Sequence, residues 1–252
     1  MSGTLSYVFC LVRSARRPTL RRITDGMPGG SDLRAVDMDE ELWAIVQTVS
    51  ESDYGEEALA EGLQNLKWVG ARAIAHERVI EAFLSGPALL PMQLFTLFTS
   101  DARVAEHVRA DRARVRRILK RIDRKVEWGL RLIFNETLVR EKAANKVAKS
   151  GAEFLARKRD LLDVNRTRLA DARKTADRLY KAMGKYAAAA QRRTSLERSA
   201  PGSRLLLDAA FLVAAAKSGA FKAAVRQHTR ELRGSGVELS LTGPWPAYNF
   251  IQ

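Results

Sequence analysis

The stretch from Asn135 to Pro201 carries no strand signal, and this limits the folds open to the chain more than any other feature. Within it Leu155, Leu162, Leu169, Ala176, Met183 and Ala190 recur every seven residues. Ala172, Leu179 and Tyr186 fill the intermediate seam, which Lys158 and Asn165 interrupt near its start. A heptad pattern of this kind predicts one long helix with a coiled-coil-like seam. At 1.5 Å per residue, Leu155 to Ala190 would reach about 54 Å. Such a helix must protrude from any domain built by 252 residues. A shorter arm, Glu136 to Ser150, supplies Leu138, Ala143, Ala144 and Val147 and can pack back on it after Gly151.

On either side of this segment the pattern reads β-α-β. Before it, Leu94–Thr99 reads as a strand and Ser100 as the cap of a helix. The inner face of that helix is Val104, Val108, Val115, Ile118, Leu119 and Ile122, and its outer face is densely basic from Arg109 to Arg124. Val126, Trp128, Leu130, Leu132 and Phe134 then alternate with polar neighbours as a second strand. After the helical segment, Leu205–Val213 is apolar enough for a central strand. Phe221, Ala224, Val225, His228 and Leu232 follow at helical spacing, and Gly234-Ser235-Gly236 stops the helix. Val237, Leu239 and Leu241 alternate with Glu238 and Ser240 as a strand with one buried face. With residues 136–200 set aside, the order is that of a ferredoxin-like βαββαβ domain. Right-handed crossovers would place both of its helices on one face of a four-stranded sheet. The tail, Gly243-Pro244-Trp245-Pro246-Ala247-Tyr248-Asn249-Phe250-Ile251, is stiff and apolar and must lie on something.

The first 86 residues read as a separate, smaller α+β unit. Leu5–Val12 is a strand with two largely apolar faces. Leu33–Val36 and Leu42–Val49 form a hairpin across the acidic turn Asp37-Met38-Asp39-Glu40-Glu41, and Asn65 caps a helix running to Leu84. Gly26-Met27-Pro28-Gly29-Gly30 is a turn and no phosphate loop, because the Lys-Ser/Thr ending is missing. The expected fold is therefore α+β in two domains, 1–86 and 87–252. The second is ferredoxin-like, with a helical insertion at 136–200 between its second and third strands.

Chemistry-bearing residues are sparse. His76, His107 and His228 fall on three different helices, and His76-Glu77 lacks the second histidine of a zinc pair because Ile80 stands there. Cys10 is the only cysteine, so no internal disulfide exists, which suits a reducing cytoplasm. His228 is expected as a satisfied core group. Asp208, inside an apolar strand, is the one odd residue, expected to be hydrogen-bonded between the domains. Neither a catalytic set, a cofactor nor a small-molecule substrate is indicated, and the longest apolar run is too short to cross a membrane. Charge is uneven. Residues 1–100 hold nine Lys+Arg against 13 Asp+Glu, and residues 101–252 hold 34 against 16. The basic half keeps a nucleic-acid-binding role open as the alternative. However, its arginines are interleaved with aspartates, and no strand carries a basic-glycine-aromatic signature.

Several stretches together carry a family resemblance. These are Tyr7-Val8-Phe9; His76-Glu77-Arg78-Val79-Ile80-Glu81; Leu90-Pro91-Met92 leading into Leu94–Phe98; Val126-Glu127-Trp128-Gly129; and Leu241-Thr242-Gly243-Pro244-Trp245-Pro246 with Tyr248 and Phe250. Over essentially its whole length the chain resembles the gas vesicle accessory proteins of the GvpF/GvpL type. It departs from that pattern at Ala247, where a second proline is frequent. It departs again at Gln93-Leu94-Phe95-Thr96, where Arg-Phe-Gly-Thr is usual. The resemblance implies a non-enzymatic, cytoplasmic assembly factor or minor component of gas vesicles. Its partners would be the small hydrophobic shell protein and other gas vesicle accessory proteins. A groove or sheet edge suits such a partner, and the expected contacts are Leu155, Leu162, Leu169 and Leu179 on the arm with Val237, Leu239 and Leu241 on the last strand.

Overall fold

The computed structural model describes residues 3–20, 23, 26–136, 151–194 and 201–251. Two compact units divide the chain: Met1–Val126 together with Trp245–Gln252, and Glu127–Pro244. In the first unit the mostly apolar run predicted as a strand forms β1 (Thr4–Arg13), which is buried on both faces from Ser6 to Val12. It pairs antiparallel with β3 (Leu42–Ser50), from Thr4↔Ser50 to Arg13↔Leu42, with one register slip between Val8 and Cys10. The expected hairpin is present, with β2 (Arg34–Asp37) antiparallel to β3.

Two short strands share the other side of β1. They are β4 (Ala88–Pro91), opposite Cys10–Arg13, and β5 (Leu97–Phe98), opposite Ser6 and Tyr7. This corrects the expectation that Leu94–Thr99 opens a β-α-β unit of the second domain. Phe95 sits at φ +64, in the left-handed region, and the chain turns there, with the Thr96 amide donating to the Gln93 carbonyl. Only the two residues after that turn can extend. Because β4 and β5 complete the first sheet, the compact boundary lies near residue 126 and the expected division at 86/87 falls inside the first unit.

Helices α1 (Glu51–Tyr54), α2 (Glu56–Gly62) and α3 (Leu66–Glu81) belong to the same unit. The Asn65 side chain accepts from the Lys67 and Trp68 amides, satisfying two of the donors that every helix start leaves open. From α3, Ala75, Val79 and Ile80 enter a core with Tyr7, Phe9, Ile45 and Tyr54. The basic helix is two helices, α4 (Asp101–Ala110) and α5 (Arg112–Ile122), broken at Asp111. Its predicted inner face holds across the break: Val104, Val108, Val115, Ile118, Leu119 and Ile122 are all buried.

The second unit contains β6 (Lys125–Asn135), α6 (Gly151–Gly184), β7 (Ala189–Arg192), β8 (Ser203–Ala214), α7 (Ser218–Glu231) and β9 (Val237–Trp245). Its sheet has the order β7-β8-β6-β9. Trp128 stacks on Phe221 of α7, and Phe211 of β8 meets both Phe221 and Tyr180 of α6. One helix replaces the expected 36-residue span, but it stops at Gly184. The amides of Lys185, Tyr186 and Ala187 fold back on the carbonyls of Ala182, Met183 and Gly184 in a tightening last turn. Ala190 therefore lies in β7, a strand in a segment where no strand signal is legible. The seam is occupied from within. Ala172, Ala176, Leu179 and Met183 are buried, and Ala172 packs on Phe134 of β6 with Leu169, Leu206 and Val237 around it. An apolar stripe at heptad spacing suits a helix on its own sheet as well as one in a coiled coil. The shorter arm at 137–150 lies outside the described residues.

Candidate partner-binding surfaces

Of the seven contact residues predicted, the second unit brings several close together. β9 alternates half-buried and exposed positions along its whole length, with Val237, Leu239 and Leu241 on the half-buried side and Glu238, Ser240 and Thr242 exposed. Among the described residues the strand lies at one end of the sheet, with β6 as its neighbour in the strand order. Beside its first half runs a groove of about 540 Å³, walled by Ile133, Leu232, Val237 and Leu239, with Arg168 and Arg233 at its rim. Leu241 follows two residues further along the strand. The arm residues separate into two groups. Leu179 is 3% exposed and serves the protein's own core, whereas Leu169 is half-buried against the same Phe134 and Ala172 cluster that Val237 touches. The side chains of Leu155 and Leu162 lie outside the described residues.

Buried polar side chains in the strands of this sheet are paired. Asp208, buried in β8, accepts from Arg131 Nε at 3.2 Å and from Arg193 Nε and Nη2 at 2.8 and 2.5 Å. The odd aspartate is thus held within the second unit. Gly129 leaves the space this needs: a Cβ there would stand 2.5 Å from Thr242 Oγ1 and 3.1 Å from Arg193 Nη2. His228 is half-exposed and 2.9 Å from Glu231, so the expectation of a core histidine is corrected. At the C-terminal end of α7 its ring stays at the helix surface, and Phe221 and Val225 supply the buried face.

The first unit holds a polar chain threaded through an apolar core. The Phe95 amide donates to Tyr7 Oη at 3.2 Å, and Tyr7 Oη lies 2.8 Å from His76 Nδ1. His76 Nε2 lies 3.2 Å from the Met92 carbonyl. Since a carbonyl only accepts, the ring proton is assigned to Nε2, leaving Nδ1 to accept from Tyr7. Burial favours the same neutral ring: it lowers the His76 pKa, opposed by the Met92 carbonyl. Tyr248 donates to Glu77 Oε2 at 2.6 Å, and burial raises the pKa of both groups. His76, Glu77, Leu90, Met92, Phe95 and Tyr248 line a cleft of about 850 Å³. A structural histidine was legible from the missing second ligand, but its link to Tyr7 was not. The signal available was that Tyr7, His76-Glu77, Leu90–Met92 and Tyr248 all lie in stretches that carry the family resemblance.

The basic face of α4 and α5 is partly neutralised. Arg109, Arg112 and Arg116 reach the acidic turn between β2 and β3, with Arg109–Asp39 at 3.8 Å, Arg112–Glu40 at 3.4 Å and Arg116 also on Glu40. Asp39 and Glu40 of that turn are therefore ion-paired. Cys10 is buried, and burial pushes its thiol pKa up. Among the described residues no group of three His, Cys, Asp or Glu side chains is placed to hold a metal ion, and no helix is long and apolar enough to cross a membrane.

Comparison with known proteins places this architecture. The GvpF crystal structure from Anabaena sp. PCC7120 superposes with a TM-score of 0.70 at 13% identity, covering 99% of each chain. That of GvpF from Microcystis aeruginosa gives 0.67 at 11% identity, covering 98% of this chain and 99% of that one. At such identities the likeness concerns the fold. In sequence, the chain is 30% identical over 219 residues to gas vesicle protein L of Streptomyces sp. (strain CB03234), covering 83% of this chain and 80% of that protein. The family model described as gas vesicle synthesis protein GvpL/GvpF matches residues 5–252. The chain belongs to the GvpL/GvpF family, and its role is a gas-vesicle-related one.

Proposed function

We propose that this protein is a non-enzymatic accessory factor of gas vesicle assembly. It binds the small, apolar shell protein, keeps it from aggregating while a vesicle nucleates, and works in the cytoplasm at the growing vesicle. The observation that carries this reading is the family match across residues 5–252, described as gas vesicle synthesis. Other vesicle accessory proteins are further partners. The proposed contacts are Val237, Leu239 and Leu241 on β9 and Leu155, Leu162 and Leu169 on α6. The order β6-α6-β7-β8-α7-β9, with sheet order β7-β8-β6-β9, supports reading the second unit as ferredoxin-like. In that reading α6 takes the place of its first helix. The nucleic-acid alternative is weakened because three arginines of the basic face already meet carboxylates.

Co-expression with the shell protein, followed by pull-down on the full chain at about 0.15 M salt, tests the reading, since phosphate-driven binding falls steeply with salt. Retained shell protein supports it. Nucleic acid retained without shell protein overturns it.

A further inference from the structure

The two edges of the second unit's sheet are treated differently by the sequence. An exposed edge strand is a template for pairing with another chain, and proteins blunt such edges by keeping them short or charged. β7 is blunted on both counts. It has four residues and ends in Arg192, whose guanidinium is tied to Asp177 at 2.5 Å and lies 4.8 Å from the Tyr180 ring centroid. β9 is nine residues long. From Val237 to Thr242 it carries no lysine, no proline and a single charge, Glu238, and Pro244 comes only near its end. Those six residues offer about 20 Å of extended backbone. The groove lies alongside them, apolar within and carrying Arg168 and Arg233 against the lone Glu238.

We infer that β9 takes up a partner by strand addition, the occupant being an extended apolar segment of the shell protein that carries an acidic side chain. The inference rests on the function proposed above and adds the mode and chemistry of contact. Main-chain hydrogen bonds along Val237–Thr242 hold the added strand. Because side chains alternate along a strand, every second one enters the groove beside Val237, Leu239, Leu232 and Ile133. The two arginines outnumber the one carboxylate at the rim, so an acidic side chain fits there and a basic one is repelled.

The test uses the full chain and the shell protein. Leu239→Lys places a charge in the groove at a half-exposed position, and Arg168→Glu reverses the rim. Shell protein retained on the wild type should fall at least tenfold with the first and severalfold with the second. Gln191→Lys on the opposite edge should change nothing. Ser240→Cys, with Cys10 left buried, is then paired with a series of single cysteines along the shell protein. Cross-links at every second position support strand addition. Cross-links at every third or fourth position, or between two copies of this chain, overturn it. Undiminished retention by Leu239→Lys also overturns it while leaving the proposed function standing, and a wild type that retains no shell protein removes that function itself.

Discussion

Phe95 occupies the left-handed region, at φ +64, which favours glycine. That conformation costs a residue with a Cβ about 1–2 kcal/mol. Here it is offset by stacking on Trp68, with ring centroids 5.5 Å apart, and by the amide bond to Tyr7. Two replacements separate these contributions. Phe95→Ala loses the ring and keeps the strain, whereas Phe95→Gly loses both. The glycine variant is therefore expected to be more stable than the alanine variant by about 1 kcal/mol after glycine's greater unfolded-state entropy is allowed for. Denaturant melts of the two variants decide it, and an alanine variant as stable as the glycine one contradicts the strain.

The His76 chain makes a pH prediction. An unfolded histidine takes its proton near 6.5, and burial lowers that value in the folded state. Between the two values the unfolded chain binds more protons, so stability is highest above about pH 6.5 and falls as the solution is acidified below it. His76→Gln loses stability at neutral pH, and its melting temperature should then fall less between pH 7 and 5 than that of the wild type. Comparing the two proteins at each pH removes the opposing contribution of Glu77, which both share. Parallel curves would place the titration elsewhere. In the second unit, Gly129→Ala drives a Cβ into Thr242 and Arg193 and displaces the guanidinium from Asp208. A loss of about 1–3 kcal/mol is expected from such crowding, measured by thermal or urea unfolding.

Among the secondary-structure elements, the sequence is most legible where a long pattern meets a chemical stop. Leu66–Glu81 announces itself by Asn65 and by its apolar spacing. Asn65→Ala removes the acceptor for two amides and should cost about 1 kcal/mol, seen as a lower melting temperature. β4 and β7 were illegible for a physical reason. Ala88-Leu89-Leu90-Pro91 and Ala189-Ala190-Gln191-Arg192 are four-residue strands of low intrinsic β preference, extended because a neighbouring strand supplies their hydrogen bonds. The heptad stripe of α6 was legible, but what it packs on was not. Ala172, Ala176, Leu179 and Met183 look alike whether the facing surface is a helix or a sheet. Met183 is fully buried, so Met183→Ala is expected to cost about 2–5 kcal/mol. If the stripe faced solvent in solution, that loss would disappear.

For the whole molecule, the family and its gas-vesicle-related role were legible because short motifs spread from Tyr7 to Phe250 act together, and the match covers residues 5–252. The division into units was not. β1 gathers β4 and β5 from a segment that reads as the start of the next domain, and Trp245–Gln252 returns to the first unit after the second is complete. The candidate surface was half legible. Val237, Leu239 and Leu241 alternate in the sequence, but that β9 ends the sheet, and that Leu179 is spent in the core, follows only from the strand order and the packing.

The proposed role requires that this chain keep an apolar shell protein from aggregating. Sedimentation of the shell protein, diluted from denaturant into increasing amounts of the purified full chain at about 0.15 M salt, measures this. Shell protein is expected to move from pellet to supernatant in proportion to the chain added and to elute with it on gel filtration. Shell protein that pellets to the same extent at every ratio, with the added chain left free in the supernatant, would contradict it.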